Sequence, residues 1–350
     1  MITLLLDEPA AIRKIDKSDM LSAMQNTPNR LLPPPDAEST CQLDNEPPAV
    51  VVLAGLGGSA IAGDVLVDYC REQTHLPITV CRTVDIPKFV GKTTLFVAIS
   101  YSGDTQETLK MVEKAKNSHA NLAVISSGGK LLQEARSASI PYVKVAPSMP
   151  PRVALPELVS ALLHVFGQAG VLYEVDRLRD SASQATRSLV DSVKLAVPLA
   201  QNPAKQVASS LAGHLPLLIG SEENNSVLRR FKNELNENSK VPAFPYALPE
   251  AYHNDIEGLE SLRSLSNPQP IILQSQQQSP SESMTSKKLL EALTRFGYPS
   301  PLFFAGLGDE RLGWLLSSIT FGDFVSFYLA MLNNVDPTQL LLIPHFKGQV

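Results

Sequence analysis

The chain is dominated by short apolar runs that alternate with segments of helical spacing. The clearest run is Ala49–Ala54, which is unbroken, as in strands that are buried on both faces of a sheet. Strands that alternate with helices predict βαβ units, and therefore a parallel sheet covered by helices on both faces. In the first half the predicted strands are Ala49–Ala54, Ile78–Val84, Leu95–Ser100, Leu122–Ser127 and Tyr142–Val145, and the predicted helices are Ser59–Cys70, Thr105–Ser118 and Leu131–Ser139.

The same alternation restarts in the second half, after a long helical stretch over residues 153–199 that is broken near Gly167–Gly170. The predicted strands there are Leu215–Gly220, Pro270–Gln274 and Pro301–Gly306, and the predicted helices are Asn225–Leu235, Ser283–Phe296 and Arg311–Met331. We therefore expect an α/β protein with two doubly wound, flavodoxin-like units covered by helices, at residues 1–170 and 171–350. The first unit includes a lead-in segment with a short helix near Lys14–Gln25.

The composition restricts the partners of this chain. Its net charge of -5 argues against a nucleic-acid-binding surface, so any anion site must be built locally from backbone N–H groups and a few cations. Three cysteines without a CxxC pair indicate neither a disulfide framework nor a structural zinc site. The first residues lack the charged region of a signal peptide, and no apolar run approaches the roughly 18 residues of a membrane helix. We expect a cytoplasmic protein without a membrane partner.

Two loops rich in glycine and hydroxyl groups follow predicted strands of the first half. In Gly55–Ala60 the glycines let backbone N–H groups approach an anion, and Ser59 can cap the next helix or bind an oxyanion. Ser100–Thr105 concentrates hydroxyl groups in one short link. Each loop also has a simpler interpretation, as a tight turn or a helix cap. Because both follow strands of one parallel sheet, and Ser126–Lys130 is a third such loop, we predict a phosphate site there.

Three side chains outside these loops are candidates for the chemistry. Glu237 and His253 lie in the polar, proline-punctuated segment Asn233–Asn254, and a carboxylate and an imidazole suit proton transfer. The simpler interpretations are a solvated glutamate and a surface histidine, and the nearby Glu234 is a competing candidate for the base. Arg152 can supply a cation, although a surface position is the usual fate of an arginine.

Taken together, these segments resemble the sugar isomerase (SIS) domain and, over nearly the full length, the bifunctional phosphoglucose/phosphomannose isomerase family. The resemblance rests on the number, order and spacing of short motifs. They are Ile12–Met20, Gly55–Asp64, Ser100–Thr108, Ser127–Lys130, Pro151–Leu155, Asn236–Phe244, His253–Asn254, Gly322–Ala330 and Val335–Thr338.

The resemblance implies two SIS domains, a homodimer with active sites near the subunit interface, and a sugar 6-phosphate substrate. Six histidines without paired spacing argue against a zinc-dependent isomerase, and we expect no cofactor and no metal. The residues that match the sugar-phosphate site of the family are Gly57, Gly58, Ser59, Ser100, Ser102, Thr105 and Arg152. Glu237 matches the base, His253 the histidine that opens the sugar ring, and Lys347 the C-terminal lysine that approaches the substrate. A small hydroxyl residue accompanies mannose activity in the family, and Thr338 is the nearest hydroxyl before Lys347.

Other functions fit the sequence less well. A SIS-type sugar-phosphate sensor that binds without catalysis is the main alternative, but the 48 residues before the first strand are too short and acidic for a helix-turn-helix. The isomerase half of an amidotransferase would be expected to carry a glutaminase with an N-terminal cysteine. A dinucleotide-dependent oxidoreductase is disfavoured because Gly55–Ala60 is not GxGxxG and no acidic residue follows at the required spacing.

Overall fold

A computed structural model describes residues 2–32, 38–40, 47–147, 150–274 and 280–346. The chain divides into two compact units. One unit, Asn26–Gln184, is called the N-unit below, and the other, the C-unit, consists of Met1–Gln25 together with Ala185–Val350. The predicted boundary at residue 170 places the whole lead-in segment in the first domain. In the structure Met1–Gln25 groups with the C-unit, and the chain from Asn26 onwards belongs to the N-unit.

The lead-in segment forms two helices where the sequence predicts one near Lys14–Gln25. They are α1 (Pro9–Ile15) and α2 (Met20–Gln25), preceded by a 3-10 helix over Ile2–Asp7. Asp16 separates them, because its carboxylate accepts the backbone N–H groups of Met20 at 2.9 Å and Leu21 at 3.0 Å. Burial raises the pKa of Asp16 despite these bonds.

The N-unit contains one five-stranded sheet with the strand order β2-β1-β3-β4-β5, in which all pairs are parallel. Its strands are β1 (Val50–Ala54), β2 (Ile78–Cys81), β3 (Thr94–Ile99), β4 (Asn121–Ser126) and β5 (Tyr142–Lys144). Its helices are α3 (Thr27–Arg30), α4 (Gly58–Cys70), α5 (Gln106–Asn117), α6 (Gly129–Ser137), α7 (Leu155–Gln168) and the first part of α8 (Val175–Val193). This order is doubly wound, as predicted, and the strand order reverses between β1 and β3.

The C-unit contains a second parallel sheet, of four strands in the order β7-β6-β8-β9. Its strands are β6 (Leu215–Ser221), β7 (Phe244–Leu248), β8 (Pro268–Leu273) and β9 (Leu302–Phe304). Its helices are α9 (Pro203–Leu211), α10 (Asn225–Glu234), α11 (Leu259–Leu265), α12 (Pro280–Arg295), α13 (Arg311–Leu332) and α14 (Leu342–Phe346). The prediction of a second α/β unit is confirmed. β7 and α9 are not among the predicted elements.

The C-unit is built around α13. Within the described ranges, α13 is the one helix that is long and apolar enough to cross a membrane, and 89% of its most apolar window is buried inside the fold. The sequence-based statement that no run approaches this length is therefore corrected, and burial identifies α13 as a core helix. The 3-10 helix over Ile2–Asp7 and helix α2 both pack against it, which is why the lead-in segment belongs to this unit.

A buried lysine ties the lead-in segment to the C-unit. The Lys205 side chain is fully buried, and its Nζ donates to Oδ1 of Asp7 at 2.8 Å and to the carbonyl oxygens of Leu195 at 2.9 Å and Val197 at 2.8 Å. The same Nζ lies 5.6 Å from the ring centroid of Tyr328, a residue of α13. One ammonium group therefore joins the lead-in segment, the chain before α9 and the core helix.

We predict that Lys205→Met destabilises the C-unit, because it removes three hydrogen bonds made by a fully buried ammonium group, although Asp7 keeps the backbone N–H of Leu199. Each hydrogen bond of a charged group is worth about 1.5–3 kcal/mol, so the loss should clearly exceed that of an exposed pair. The matched control is Lys194→Met, since the Lys194 side chain is 42% exposed and pairs with Asp191 on the surface. That substitution costs less than about 1 kcal/mol. Equal losses of unfolding free energy in urea would contradict the anchoring role of Lys205.

Candidate active site

Three loops of the N-unit meet at the carboxyl edge of its sheet. The first loop, Gly55–Ala60, follows β1, the second, Ser100–Thr105, follows β3, and the third, Ser126–Lys130, continues from the end of β4. β1, β3 and β4 are neighbours in the sheet, so the three loops are neighbours too. The first two flank the point where the strand order reverses, which is where doubly wound sheets bind their ligands.

The loops approach one another so closely that some positions accept only glycine. A Cβ atom on Gly55 would lie 2.8 Å from the carbonyl oxygen of Ile99, and one on Gly129 would lie 2.5 Å from that of Ser102. Gly103 has a φ of +74° and its Cβ would overlap the carbonyl oxygen of Gly128. The contacts are therefore made backbone to backbone.

The first loop presents the start of α4. Gly57, with a φ of +55°, precedes the helix and supplies no side-chain cap. The N–H of Ser59 donates to the carbonyl oxygen of Leu56 at 3.2 Å, which leaves the N–H of Gly58 to face an anion. Ser59 is buried, and its Oγ accepts the backbone N–H of Tyr101 at 3.3 Å. Ser59 thus connects the first loop to the second.

The second loop presents the start of α5. The Thr105 side chain does not cap this helix; its Oγ1 is instead 3.1 Å from the Ser100 hydroxyl, which donates to it. Ser100 Oγ is buried and accepts the N–H of Gly103 at 3.2 Å, whereas Ser102 is exposed. An uncapped helix start beside an exposed hydroxyl is a ready anion site.

The third loop has a different role, because a carboxylate of the protein already lies at the start of α6. Asp104 Oδ1 accepts the backbone N–H of Lys130 at 3.1 Å. The negative charge of Asp104 therefore complements the positive end of the α6 dipole. The third loop supports the second, and the candidate anion site is formed by the first two loops.

Arg152 lies in a 3-10 helix over Pro151–Ala154 and is buried, with 6% of its surface exposed. This turn lies against the start of α4, since a Cβ on Gly58 would be 3.4 Å from the carbonyl oxygen of Pro151. The structure therefore assembles the predicted loop residues at one edge of the N-unit and brings the turn that carries Arg152 beside the first loop. A buried arginine here departs from the surface position that is usual for this residue.

Glu237 lies in a π-helical turn, Leu235–Ser239, that continues α10. Such turns are rare and frequently occur at functional sites. Lys240, with a φ of +59°, ends the turn, and its Nζ donates to the carbonyl oxygens of Glu237 at 2.6 Å and Asp336 at 3.2 Å. The backbone N–H of Thr338 donates to Oδ1 of Asp336 at 2.9 Å, so the segment that contains Thr338 is tied to the turn that contains Glu237.

The structure distinguishes Glu237 from Glu234, the other candidate for the base. Glu234 is 2% exposed, and its carboxylate pairs with Nη1 of Arg230 at 2.9 Å and accepts Nδ2 of Asn238, also at 2.9 Å. The charge of Glu234 is therefore neutralised inside the protein by Arg230. The Glu237 side chain is only half-buried, which favours it as the carboxylate that meets a ligand.

His253 is exposed at the end of a 3-10 helix, Glu250–His253, that follows β7. Glu237 precedes the amino end of this strand and His253 follows its carboxyl end. Five residues of β7 separate the two segments, at about 3.3 Å per residue. In one chain the two side chains therefore belong to opposite edges of the C-unit sheet. Lys347 lies outside the described residues.

Comparison with solved structures defines the class of fold. The chain is similar to a glucose-6-phosphate isomerase like protein from Thermus thermophilus, with a TM-score of 0.66, 16% identity and 99% of each chain covered. It is also similar to the C-terminal domain of glucosamine-fructose-6-phosphate aminotransferase from Francisella tularensis, with a TM-score of 0.64, 14% identity and coverage of 94% of this chain and 98% of that one. These likenesses show the two-unit phosphosugar-isomerase fold.

Sequence relatives are more specific. Residues 200–350 match the bacterial phospho-glucose isomerase C-terminal SIS domain. The bifunctional phosphoglucose/phosphomannose isomerase of Caldicellulosiruptor bescii is 31% identical over 86% of this chain and 89% of its own length. The chain belongs to the bifunctional phosphoglucose/phosphomannose isomerase family. A D-glucosamine-6-phosphate 4-epimerase from Sulfolobus acidocaldarius is 32% identical, over 59% of this chain and 63% of its own length.

We predict that Gly103→Ala disrupts the loops far more than Gly170→Ala does. Both glycines have a positive φ, of +74° and +65°, but a Cβ on Gly170 meets no atom within 4 Å. The control therefore measures the backbone cost alone, about 1–2 kcal/mol. Gly103→Ala adds the overlap with Gly128 and should lower the free energy of unfolding in urea by clearly more. Equal losses of unfolding free energy in the two variants would mean that the second and third loops can move apart without destabilising the fold.

Proposed function

We propose that this protein is an aldose–ketose isomerase that interconverts glucose 6-phosphate, and also mannose 6-phosphate, with fructose 6-phosphate through a cis-enediol. The observation that carries the proposal is the pair of uncapped helix starts, α4 and α5, with hydroxyl groups beside them at the point where the strand order reverses. Membership of the isomerase family supports the same conclusion.

The phosphate group is bound by the N-unit in this proposal. Backbone N–H groups at Gly57 and Gly58 and at the start of α5 donate to its oxygens. The hydroxyl groups that take part are those of Ser59, Ser100, Ser102 and Thr105. Arg152 supplies the cation that a chain of net charge -5 does not offer in general.

Glu237 performs the proton transfer. Its carboxylate removes the proton from C2 of the open-chain aldose phosphate and returns it to C1, while the hydroxyl proton moves from O2 to O1 and the carbonyl moves from C1 to C2. No atom is gained or lost. Negative charge on the enediolate needs a cation or N–H donors beside it. His253 transfers the proton between O1 and O5 that opens the ring, and Lys347 approaches the substrate.

The functional protein is a homodimer in this proposal, with active sites near the subunit interface. Glu237 and His253 belong to opposite edges of the C-unit sheet, so a second copy is the natural source of the histidine for each site. The edge strand β7 supports this arrangement, because Phe244 at its start is 48% exposed. We also propose a cytoplasmic location, as expected for a protein that acts on soluble sugar phosphates.

We predict that the purified protein converts fructose 6-phosphate into both glucose 6-phosphate and mannose 6-phosphate, measured separately by coupled enzymes. Ser100→Ala combined with Ser102→Ala should raise KM strongly, because each hydrogen bond to a charged group is worth about 1.5–3 kcal/mol. Ser118→Ala, at the far end of α5, is the matched control and should leave KM unchanged.

Two outcomes would contradict this assignment. A protein that changes glucosamine 6-phosphate at C4 but leaves fructose 6-phosphate intact would be an epimerase. An unchanged KM in the double serine variant, with isomerisation present, would move the phosphate site away from the second loop.

We predict that two inactive variants, Glu237→Gln and His253→Ala, complement each other in a hybrid dimer. If each site combines Glu237 of one copy with His253 of the other, the hybrid contains one site with both substitutions and one intact site. Its activity should approach half of the wild-type value. Hybrids are isolated by two different affinity tags on the co-expressed chains. If Glu237 and His253 of a site come from one chain, each of the two sites contains one of the two substitutions, and the hybrid stays inactive.

A further inference from the structure

A buried network of charged and polar side chains lies directly behind the π-helical turn. Arg230 is 2% exposed, and its Nε and Nη2 donate to the Asp323 carboxylate at 2.9 Å and 3.1 Å. Its Nη1 pairs with Glu234 at 2.9 Å. Three charged groups of α10 and α13 are therefore held together in the interior of the C-unit.

Asn238, the residue after Glu237, connects this network to the turn. Its Nδ2 donates to Oε2 of Glu234 and to Oγ of Ser326, both at 2.9 Å. The Ser326 hydroxyl in turn donates to the carbonyl oxygen of Asp323 at 2.7 Å. A single amide thus joins the turn to both helices.

Stability alone does not account for these groups. A buried ion pair contributes little net stability, and apolar residues of the same size often do as well or better. A π-helical turn also gives up regular helical hydrogen bonds and needs support from its surroundings. What the network adds is a fixed position for the backbone on either side of Glu237, which is itself only half-buried.

The charges of the network reach Glu237. Burial disfavours the charged form of Arg230, but Asp323, Glu234 and also Glu237 favour it, and the pKa of Arg230 is raised. The carboxylates of Asp323 and Glu234 hold Arg230 on two sides, so ion pairs fix the network that adjoins the π-helical turn.

We propose that Asn238 is a positioning residue, which, through Glu234 and Ser326, fixes the π-helical turn so that the Glu237 carboxylate points at C2 of the substrate. The inference rests on the proposed role of Glu237 as the base. Proton transfer is sensitive to geometry, and a displacement of about 1 Å can cost roughly 100-fold in rate. Phosphate binding takes place in the N-unit and does not depend on this turn.

The test separates kcat from KM in two variants and one control. Asn238→Ala removes the amide, and kcat should fall about 10-fold or more with KM changed less than about twofold. Ser326→Ala removes only one acceptor and should lower kcat by a smaller factor in the same pattern. Thr320→Val is the control, because Thr320 is a buried hydroxyl of the same helix whose bond, to the carbonyl oxygen of Leu316, stays within that helix.

All rates are measured well below the melting temperature of each variant. A purely structural network predicts that the Asn238 and Ser326 variants lose thermal stability but keep the kcat of the control, and that result would overturn the inference. If Asn238→Ala does not fold, the comparison of Ser326→Ala with Thr320→Val decides alone. Wild type and Glu237→Gln are assayed in parallel. A wild-type protein without isomerase activity, or a Glu237→Gln variant with the wild-type kcat, would instead overturn the proposed function, and the inference with it.

Discussion

Parallel pairing of β1 with β3, and of β6 with β8, is the constraint from which the arrangement of this molecule follows. Parallel neighbours require crossover connections, and the carboxyl ends of β1, β3 and β4 are each followed by a loop and the start of a helix. Where the order reverses, two such loops diverge and leave a crevice. Among the described glycines of the N-unit, those of these loops, Gly55, Gly103 and Gly129, have the least room for a Cβ atom.

The sequence predicts most of this architecture, because buried parallel strands are unbroken apolar runs. The strands of the N-unit lie within a few residues of the predicted positions. β7 is missed for a physical reason: it is an edge strand that begins with Phe244 and Pro245, both exposed, and it has no continuous apolar run. The sequence places Met1–Gln25 with the first domain, whereas the structure groups it with the C-unit. Its partner Lys205 is distant in sequence, and nothing local in the sequence reveals such a pairing.

The candidate site is only partly predictable for a similar reason. Hydroxyl groups and glycines mark the two loops, but the sequence cannot distinguish Glu234 from Glu237, since both are glutamates of one polar helix. The difference lies in Arg230 and Asp323, which are 93 residues apart and meet only in the folded C-unit. Lys240 and Asp104 also act through bonds to backbone groups, and such bonds leave no pattern in the sequence.

The position of Asp7 beside Lys205 has a consequence for synthesis on the ribosome. The lead-in segment emerges first, but the lysine that anchors it lies 198 residues later. At about 5–20 residues per second, the lead-in segment waits on the order of ten to forty seconds for its partner. During that interval the whole of Asn26–Gln184 emerges and can complete its own sheet. Apolar side chains of the nascent lead-in segment that are buried in the folded C-unit, such as Leu6, Ile12 and Met20, stay uncovered until Lys205 and α13 have been made.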